Sequence, residues 1–198
     1  MDVQYYFTPV SPWTYLGHER FRAIAKAADA RVEVLPVDYG AIFPVSGGLP
    51  LAKRAPQRQA YRLVELKRFS EWLQLPLNVQ PKFFPVDAGP GARLVIATLH
   101  AAGPPAALTL AGALMRAVWA EERNVADRDT LAALLAENAL AASLLGESEA
   151  PEIAARYEAN TRRAIDAGVF GAPTFVVDGE IFWGQDRLDF LERRLRAS

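Results

Sequence analysis

The hydrophobic and polar positions alternate at the start of the chain and then change to a helical spacing. The stretch VQYYF (3–7) alternates as a half-buried strand does. From Ser11 onward, apolar residues recur every three or four positions, which predicts an amphipathic helix. A second apolar run, RVEVLPV (31–37), predicts another strand, and its Pro36 favours a sheet edge or a strand end because proline cannot donate to a ladder. The chain therefore opens as β–α–β.

The middle of the chain has a different pattern. Residues 41–57 are rich in proline and glycine and are typical of a long irregular loop. Helical spacing then continues for about a hundred residues. It predicts five helices, at 57–73, 90–102, 104–121, 127–136 and 151–167.

Strand patterns return only near the end. TFVV and EIFW flank Asp178-Gly179, a strong hairpin signal, and a helix with leucines every three or four residues follows. A lone hairpin cannot bury enough surface to be stable, so we expect the two ends to form one sheet. The order predicts an α/β, thioredoxin-like fold made of 1–40 and 168–198, with a large all-helical domain, 41–167, inserted into it.

The amino-acid composition excludes several classes of function. The net charge of -1 gives no support to nucleic-acid binding. No apolar stretch reaches the roughly 18 residues of a membrane span, and strand-like sequence begins at Val3, so we expect a cytoplasmic protein with no membrane partner. The chain has no cysteine and only two histidines, which excludes a dithiol centre and argues against a metal site. The four tryptophans follow apolar patterns and are expected in the core.

The Ser11-Pro12 pair has two interpretations. Serine is a preferred N-cap and proline a preferred first helical residue, so the pair can simply start a helix. The same position also faces unpaired backbone N–H groups and the positive end of the helix dipole. An anion, including a thiolate, would be stabilised there.

Two further segments are candidates for ligand contacts. Ala172-Pro173 precedes a strand, and it either only starts that strand or turns the Ala172 backbone groups toward a peptide-like ligand. The sequence leaves open whether this bond is cis. Gly184-Gln185-Asp186 opens the last helix, where Asp186 can cap the helix or pair with a ligand ammonium group, with Gln185 and nearby N–H groups taking a carboxylate.

Four stretches together carry a family resemblance, at 5–17 (YYFTPVSPWTYLG), 38–48 (DYGAIFPVSGG), 118–127 (VWAEERNVAD) and 168–195 (GVFGAPTFVVDGEIFWGQDRLDFLERRL). They resemble 2-hydroxychromene-2-carboxylate isomerases. These enzymes belong to the DsbA-like branch of thioredoxin folds, beside the kappa-class glutathione transferases. The similarity covers nearly the full length and is densest at both ends.

The resemblance implies a glutathione cofactor and its contacts. Ser11 stands where thioredoxin relatives have a redox cysteine, and it would be the catalytic residue that binds the glutathione sulfur. Ala172, before Pro173, would pair with the glutathione backbone, and Arg58 replaces a family lysine near glutathione. The γ-glutamyl end would be held by Trp183, Gly184, Gln185 and Asp186.

The substrate side matches the family less well. Pro44 stands where the family usually has a lysine, and Gly48 and Leu49 replace an asparagine and a basic residue. With Phe84, these three are the positions associated with the substrate, an aromatic or other electrophilic acid. Lys53 and Arg54 either restore a positive lining or belong to a solvated loop.

Three functions remain open at this point. The resemblance favours a glutathione-dependent cis–trans isomerase of aromatic catabolism. A kappa-like glutathione transferase that conjugates electrophiles is the nearest alternative, and a non-catalytic thioredoxin-like binding module is the third. The resemblance also suggests a homodimer.

Overall fold

A computed structural model describes residues 1–197 and contains one mixed four-stranded sheet. Its strands are β1 (Asp2–Phe7), β2 (Arg31–Pro36), β3 (Thr174–Val177) and β4 (Glu180–Trp183), in the order β2-β1-β3-β4. β1 pairs parallel with β2 and antiparallel with β3, and β3 pairs antiparallel with β4. The prediction that the two chain ends share one sheet is confirmed, and β2 is an edge strand.

Eight α-helices surround this sheet within residues 1–197. They are α1 (Pro12–Ala27), α2 (Tyr39–Ser46), α3 (Pro56–Leu73), α4 (Gly89–Trp119), α5 (Arg128–Glu137), α6 (Leu144–Glu147), α7 (Pro151–Asp166) and α8 (Leu188–Arg196). Short 3-10 turns occupy Leu51–Lys53 and Gln185–Arg187. The α/β thioredoxin-like class with a helical insertion is confirmed. The short helix α6 was not predicted.

Helix α1 begins where the sequence indicated. Ser11 is its N-cap, since the Ser11 hydroxyl accepts a hydrogen bond from the Thr14 N–H at 3.2 Å, and Pro12 is its first residue. Its apolar face lies on the sheet, where the Phe21 ring packs 4.6 Å from Tyr5 and 4.5 Å from Phe175 between ring centroids. Burying each such aromatic side chain is worth about 1.5–3 kcal/mol. This packing fixes the helix start relative to the strands.

The segment 41–57 is not an irregular loop, so that prediction is wrong. Asp38 caps α2 by accepting the Gly40 N–H at 2.7 Å, and Gly47, with φ 76°, ends it in the left-handed conformation. Ile42 is fully buried in a cluster that includes Ala164 of α7. This tertiary packing stabilises a helix even though Pro44 lies inside it.

Helix α4 is two helical segments joined at Gly103, whose φ of 79° and ψ of 177° are not helical. The predicted helices 90–102 and 104–121 match its two parts. By length and composition alone α4 could cross a membrane, but half of its most apolar window is buried inside the protein. It packs against β2, α1 and α7, and these contacts account for its apolar character.

The last part of the chain follows its turn signals. Gly168 follows α7 with φ 74°, and Asp178 and Gly179 both have positive φ, 50° and 83°, between β3 and β4. Positive φ at both central residues matches the right-handed twist of the strands in a two-residue hairpin. The hairpin and the C-terminal helix are confirmed.

One hydrophobic core joins the sheet to the helical insertion. It contains Tyr5 of β1 and Phe175 of β3 together with Leu66 of α3 and Leu114 of α4, all fully buried. The insertion therefore packs directly on the sheet. The division at residues 40 and 168 remains a prediction about domain boundaries.

Candidate active site

A cleft of about 1400 Å³ lies where the turn before α1, the loop before β3 and the segment after β4 meet helices α2 and α3. Single small-ligand sites usually have about 300–1,000 Å³, so this cleft has room for two small molecules. Its lining residues include two groups, which we call walls. The sheet wall consists of Ser11, Ala172, Gly184 and Gln185, and the helical wall of Arg54, Arg58, Arg62 and Phe84.

Ser11 lies on the sheet wall at the N-terminus of α1. Its side chain is buried, with 8% of the residue exposed, and its hydroxyl is occupied on one side by the Thr14 N–H. The Trp13 N–H has no hydrogen-bond partner among residues 1–197, as expected for the first turn of a helix. The Ser11 O–H and this free N–H are two donors at the positive end of a 16-residue helix. The arrangement favours an anion beside Ser11.

The Ala172-Pro173 corner contributes Ala172 to the cleft that Ser11 also lines, and its peptide bond is cis, as is Phe84-Pro85. The preceding carbonyl, that of Gly171, accepts from the Tyr39 hydroxyl at 2.8 Å and from the Thr174 hydroxyl at 2.6 Å. The Ala172 N–H and C=O have no partner within the described part of the chain. They form a free donor and acceptor pair of the kind that binds an extended peptide backbone.

The segment after β4 contributes an unpaired amide. Gln185 is 2% exposed, and its side-chain Oε1 has no hydrogen-bond partner among the described residues. A buried polar atom without a partner is costly, so this oxygen calls for a donor from a ligand or water. Gly184 bonds to Pro173 through its N–H at 2.9 Å, which ties the two loops of the sheet wall together.

Asp186 is not a helix cap, because neither the turn at 185–187 nor α8 has a side-chain cap. Its carboxylate pairs with the guanidinium of Arg187 at 2.8 Å, and both side chains are about half exposed. Such an exposed pair contributes little stability and exchanges easily with a ligand. Asp186 therefore remains available to a ligand ammonium group at the rim.

Trp183 lies at the cleft mouth, half exposed, with its ring 4.8 Å from that of Phe170. Trp72 is 68% exposed. The prediction that all four tryptophans are core residues is therefore wrong for these two. Trp119 is fully buried and Trp13 lines the cleft. Apolar spacing alone cannot distinguish a strand residue that lines a cleft, such as Trp183, from one in the core.

The helical wall is basic. Arg54, Arg58 and Arg62 line it, and none of the three has an ion pair within residues 1–197. Burial and the neighbouring Arg58 lower the pKa of Arg54, whose side chain also donates to the Leu49 carbonyl at 2.8 Å. Lys53 does not line the cleft. The positive lining suggested by Arg54 therefore exists, and Arg58 and Arg62 of α3 extend it.

The cleft brings together ten of the twelve sequence-predicted site residues. Pro44 and Pro173 are absent from its lining, and Pro44 is exposed on α2. Sequence analysis did not select several other lining residues, among them Tyr39, Tyr157, Phe43 and Arg62. Arg62 follows Arg58 by four residues and so shares its helix face, a signal that was present in the sequence.

Behind Ser11, a buried histidine connects α1 to its neighbours. The His18 Nε2 lies 2.9 Å from the Leu108 carbonyl and its Nδ1 3.0 Å from the Tyr5 hydroxyl. A carbonyl only accepts, so Nε2 donates and Nδ1 accepts from Tyr5, which defines a neutral tautomer. Burial lowers the pKa of His18 to about 4. His18 is 1% exposed and makes satisfied polar contacts, so it holds α1 in place and does not reach the cleft.

Residues 1–197 contain no cluster of three or more histidine or acidic side chains that could hold a metal ion. A family model for the DSBA-like thioredoxin domain matches residues 2–196. The chain belongs to this family. The match covers the sheet, the helical insertion and both walls of the cleft.

Curated relatives and solved structures agree with this assignment. The chain is 28% identical to a 2-hydroxychromene-2-carboxylate isomerase of Sphingobium xenophagum over 98% of this chain and 97% of that protein. It is also 28% identical to the protein of the same name from Pseudomonas putida, over 97% and 93%. These matches confirm the resemblance drawn from the four stretches.

Two solved structures share the fold. A 2-hydroxychromene-2-carboxylate isomerase structure superposes with a TM-score of 0.83 at 24% identity, covering 100% of this chain and 95% of that one. The cytosolic disulfide reductase DsbM from Pseudomonas aeruginosa, solved with GSH, superposes with a TM-score of 0.71 at 19% identity, covering 99% and 100%. At these identities the structures show the fold alone.

Proposed function

We propose that the protein is a glutathione-dependent cis–trans isomerase that acts on a 2-hydroxychromene-2-carboxylate or a closely related aromatic acid. The single observation that supports this most strongly is the sheet wall. It combines, in the lining of one cleft, a buried serine at a helix N-terminus, the free backbone groups of Ala172 and Gln185 with its unpartnered Oε1. The curated relatives' names suggest the reaction.

The sheet wall fits glutathione at three points. The Ala172 N–H and C=O match the backbone of the tripeptide, which carries one donor and one acceptor at its cysteinyl residue. The Gln185 amide and the rim carboxylate of Asp186 suit the γ-glutamyl end, with its carboxylate and ammonium group. Arg58 on the helical wall suits the terminal glycyl carboxylate. Ser11, which lines the same cleft, would then contact the thiol.

Ser11 and the start of α1 would hold this thiol in its ionised form. A cysteine-type thiol with a pKa of about 8.5 is only about 3% ionised at pH 7. Lowering that pKa by about two units, as helix N-termini can, makes the thiol roughly three-quarters ionised. The required stabilisation is about 2.7 kcal/mol. A charge-assisted hydrogen bond from the Ser11 hydroxyl and the dipole of α1 are of the right size to supply it.

When bound, glutathione supplies a nucleophile that adds reversibly to the conjugated double bond of a ring-opened aromatic pyruvate, so that the bond can rotate before the thiol leaves unchanged. The chain's own residues orient glutathione and the substrate. Ser11 donates to the sulfur, Ala172 fixes the tripeptide backbone, and the rings of Phe43 and Phe84 provide an apolar surface for the substrate. No protein side chain needs to form a covalent bond.

The test compares isomerisation with and without glutathione, in the wild type and in Ser11→Ala. We expect turnover to require glutathione and to fall by about 10²–10³-fold in Ser11→Ala, the usual loss for a group that stabilises developing charge. Asp127→Ala is the matched control, because it removes a side-chain cap from α5 at a cost of about 0.5–2 kcal/mol but lies outside the cleft. Turnover that does not need glutathione would end the proposal.

The nearest alternative is a glutathione transferase that releases a conjugate. Both activities would use the same sheet wall, so the products distinguish them. An isomerase returns free glutathione after each turnover, whereas a transferase accumulates a thioether. A binding module without activity would show neither product, and calorimetry would report whether it binds glutathione at all.

We also propose a cytoplasmic homodimer. The apolar side chains of Tyr61, Val64 and Trp72 are exposed on α3, where a second copy could cover them. Sedimentation of the wild type and of Trp72→Ser tests this assembly. A monomeric wild type at micromolar concentration would reject it.

A further inference from the structure

Arg62 occupies an unusual position on the helical wall. Its guanidinium carbon lies 5.3 Å from the ring centroid of Phe84 and 5.6 Å from that of Trp119. These rings attract the cation but offer no hydrogen-bond acceptor in the ring plane. The side chain is half-buried and lines the cleft. A positive charge thus lies against an aromatic surface at the inner part of the helical wall.

This charge has no counter-ion in the described part of the chain. No carboxylate lies within ion-pair distance of Arg62, and none of its five N–H donors has a protein acceptor. Glu65, the nearby cleft acid, bonds to Arg68 at 2.9 Å instead. Burial, with the neighbouring Arg54, lowers the pKa of Arg62 to about 10, so it remains charged at neutral pH. An anion in the cleft would relieve this unfavourable arrangement.

The three wall arginines differ in depth. Arg58 is exposed, Arg54 is half-buried and bonded to the Leu49 carbonyl, and Arg62 is half-buried with all of its donors free. One helical turn beyond Arg62, Leu66 is fully buried in the core. Arg58 is therefore placed for an anionic group near the rim, whereas Arg62 is placed for one deeper in the cleft, next to Phe84.

We propose that Arg62 binds the carboxylate of the aromatic substrate, with the substrate ring held near Phe84, and that it selects anionic over neutral substrates. The inference rests on the proposed function, because glutathione is assigned to the sheet wall and Arg58. The role of Arg62 also explains how the cleft can hold an acid although Gly48 and Leu49 in its lining carry no charge and Pro44 lies outside it. A planar guanidinium binds a carboxylate through two parallel hydrogen bonds, which also orients the substrate.

The test is direct binding, which does not depend on turnover. Cinnamate and cinnamamide have the same shape and differ in charge, so each is titrated by calorimetry into glutathione-saturated protein. We expect the wild type to bind cinnamate about 10–100-fold more tightly than cinnamamide, as for hydrogen bonds to a charged group. In Arg62→Gln this preference should fall to nearly onefold, with cinnamamide affinity unchanged. KM for the carboxylate substrate should rise with little change in kcat.

Two variants control this measurement. Lys67→Gln removes one positive charge from the same helix, outside the cleft lining, and should keep the wild-type preference. Arg62→Lys keeps the charge but loses the paired geometry, and should retain a preference of several-fold. This variant and the wild type decide the question if Arg62→Gln does not fold.

Each outcome supports or rejects a specific statement. Equal affinity of the wild type for cinnamate and cinnamamide, no measurable binding of either, or an unchanged preference in Arg62→Gln would overturn the role of Arg62. Failure of the proposed function looks different, because it appears in the first titration as an absence of glutathione binding. In that case the affinities for cinnamate and cinnamamide are compared in glutathione-free wild type and Arg62→Gln. The same outcomes then support or overturn the role of Arg62.

Discussion

The two walls of the cleft are built in different ways. The sheet wall presents backbone groups, a buried serine and a buried amide, and packing against the strands fixes all of them. The helical wall presents three long arginine side chains and the ring of Phe84, and of these only Arg58 is exposed. Backbone groups can move only if the packing of the core changes, whereas long side chains can adopt many rotamers. The sheet wall therefore suits a ligand that is held in one fixed position, and the helical wall suits a ligand whose shape can vary.

This difference also explains the uneven resemblance to the isomerase family. The stretches that form the sheet wall, 5–17 and 168–195, match the family densely. By the same resemblance, the stretch 38–48 departs from the family pattern at Pro44, outside the cleft lining, and at Gly48, within it. A change on the sheet wall would disturb packing, whereas Arg62 on α3 brings to the cleft lining a positive charge that the exposed Pro44 does not. Four predictions test this comparison.

The largest expected effect concerns the anchor behind the sheet wall. The folded-state pKa of His18, about 4, lies below its ordinary value of 6.5, because burial disfavours the charged form. As the pH falls from 6.5, the unfolded chain takes up a proton that the folded chain does not. The free energy of unfolding should therefore fall by about 3 kcal/mol between pH 6.5 and 4, and be unaffected by His18 above pH 6.5.

Urea unfolding at several pH values measures this loss. In His18→Gln the free energy of unfolding should not show this fall between pH 6.5 and 4. In His100→Gln, at an exposed position on α4, it should follow the wild type. Carboxylates with lowered pKa values, such as Asp127 with its Thr130 hydrogen bonds, contribute only at lower pH. An identical pH dependence in His18→Gln and the wild type would rule out this role for His18.

The next largest effect is expected at Gly17 of α1. A Cβ there would lie 2.7 Å from the Gln185 Cβ and 3.3 Å from its Cα, so the two parts of the sheet wall would have to separate. Gly17→Ala should lower the free energy of unfolding by about 1–3 kcal/mol and weaken glutathione binding. Gly146→Ala, which meets nothing within 4 Å, should be neutral or slightly stabilising. Equal stability of the two variants would show that the contact between α1 and Gln185 is loose.

A smaller effect is expected at Arg58 of the helical wall. The side chain is exposed, so its ion pair with a carboxylate of glutathione would be worth about 0.2–1 kcal/mol. Arg58→Gln should weaken glutathione binding by about two- to fivefold at low salt, and less at high salt. Calorimetry at two salt concentrations measures this, with Lys67→Gln as the control. If Arg58→Gln weakened glutathione binding as much as Gly17→Ala does, the sheet wall would not be the main binding surface.

The smallest effect on stability is expected at Gly48. A Cβ there would lie 2.3 Å from the Phe43 ring, but a side chain can rotate away where a backbone cannot. Gly48→Ala should change the free energy of unfolding by only about 0.5 kcal/mol. Because Phe43 lines the cleft, KM for the aromatic substrate should change more than glutathione affinity does. Destabilisation as large as in Gly17→Ala would remove the distinction between the walls.

Local signals predicted most of the framework. The Ser11-Pro12 helix start and the Asp178-Gly179 hairpin were both predicted from residues next to one another. They succeeded because a cap, a turn or a left-handed residue needs only its immediate neighbours. Helix α2 was missed for the opposite reason. Its proline and glycines favour a loop locally, and only the burial of Ile42 against α7 makes the helix stable.

The candidate site divides in the same way. Ser11, Ala172 and the 183–186 segment could be selected because each is a recognisable local motif and the family resemblance connects them. For Arg62 the sequence offers only its spacing of four residues from Arg58, which places both on one helix face. Its distinguishing properties are the nearby rings of Phe84 and Trp119 and the lack of an acidic partner, and these depend on residues 22 and 57 positions away in the chain.

The sequence by itself determined the order of elements, the absence of any cysteine chemistry and the serine at a helix start. These are properties of composition, hydrophobic period and turn residues, and all act over a few positions. The tertiary structure alone decided which polar atoms remain without partners, such as Gln185 Oε1 and the Arg62 guanidinium, and that both residues line one cleft. Whether a polar group is satisfied depends on distant segments that folding brings within a few ångströms, and no local pattern encodes that distance.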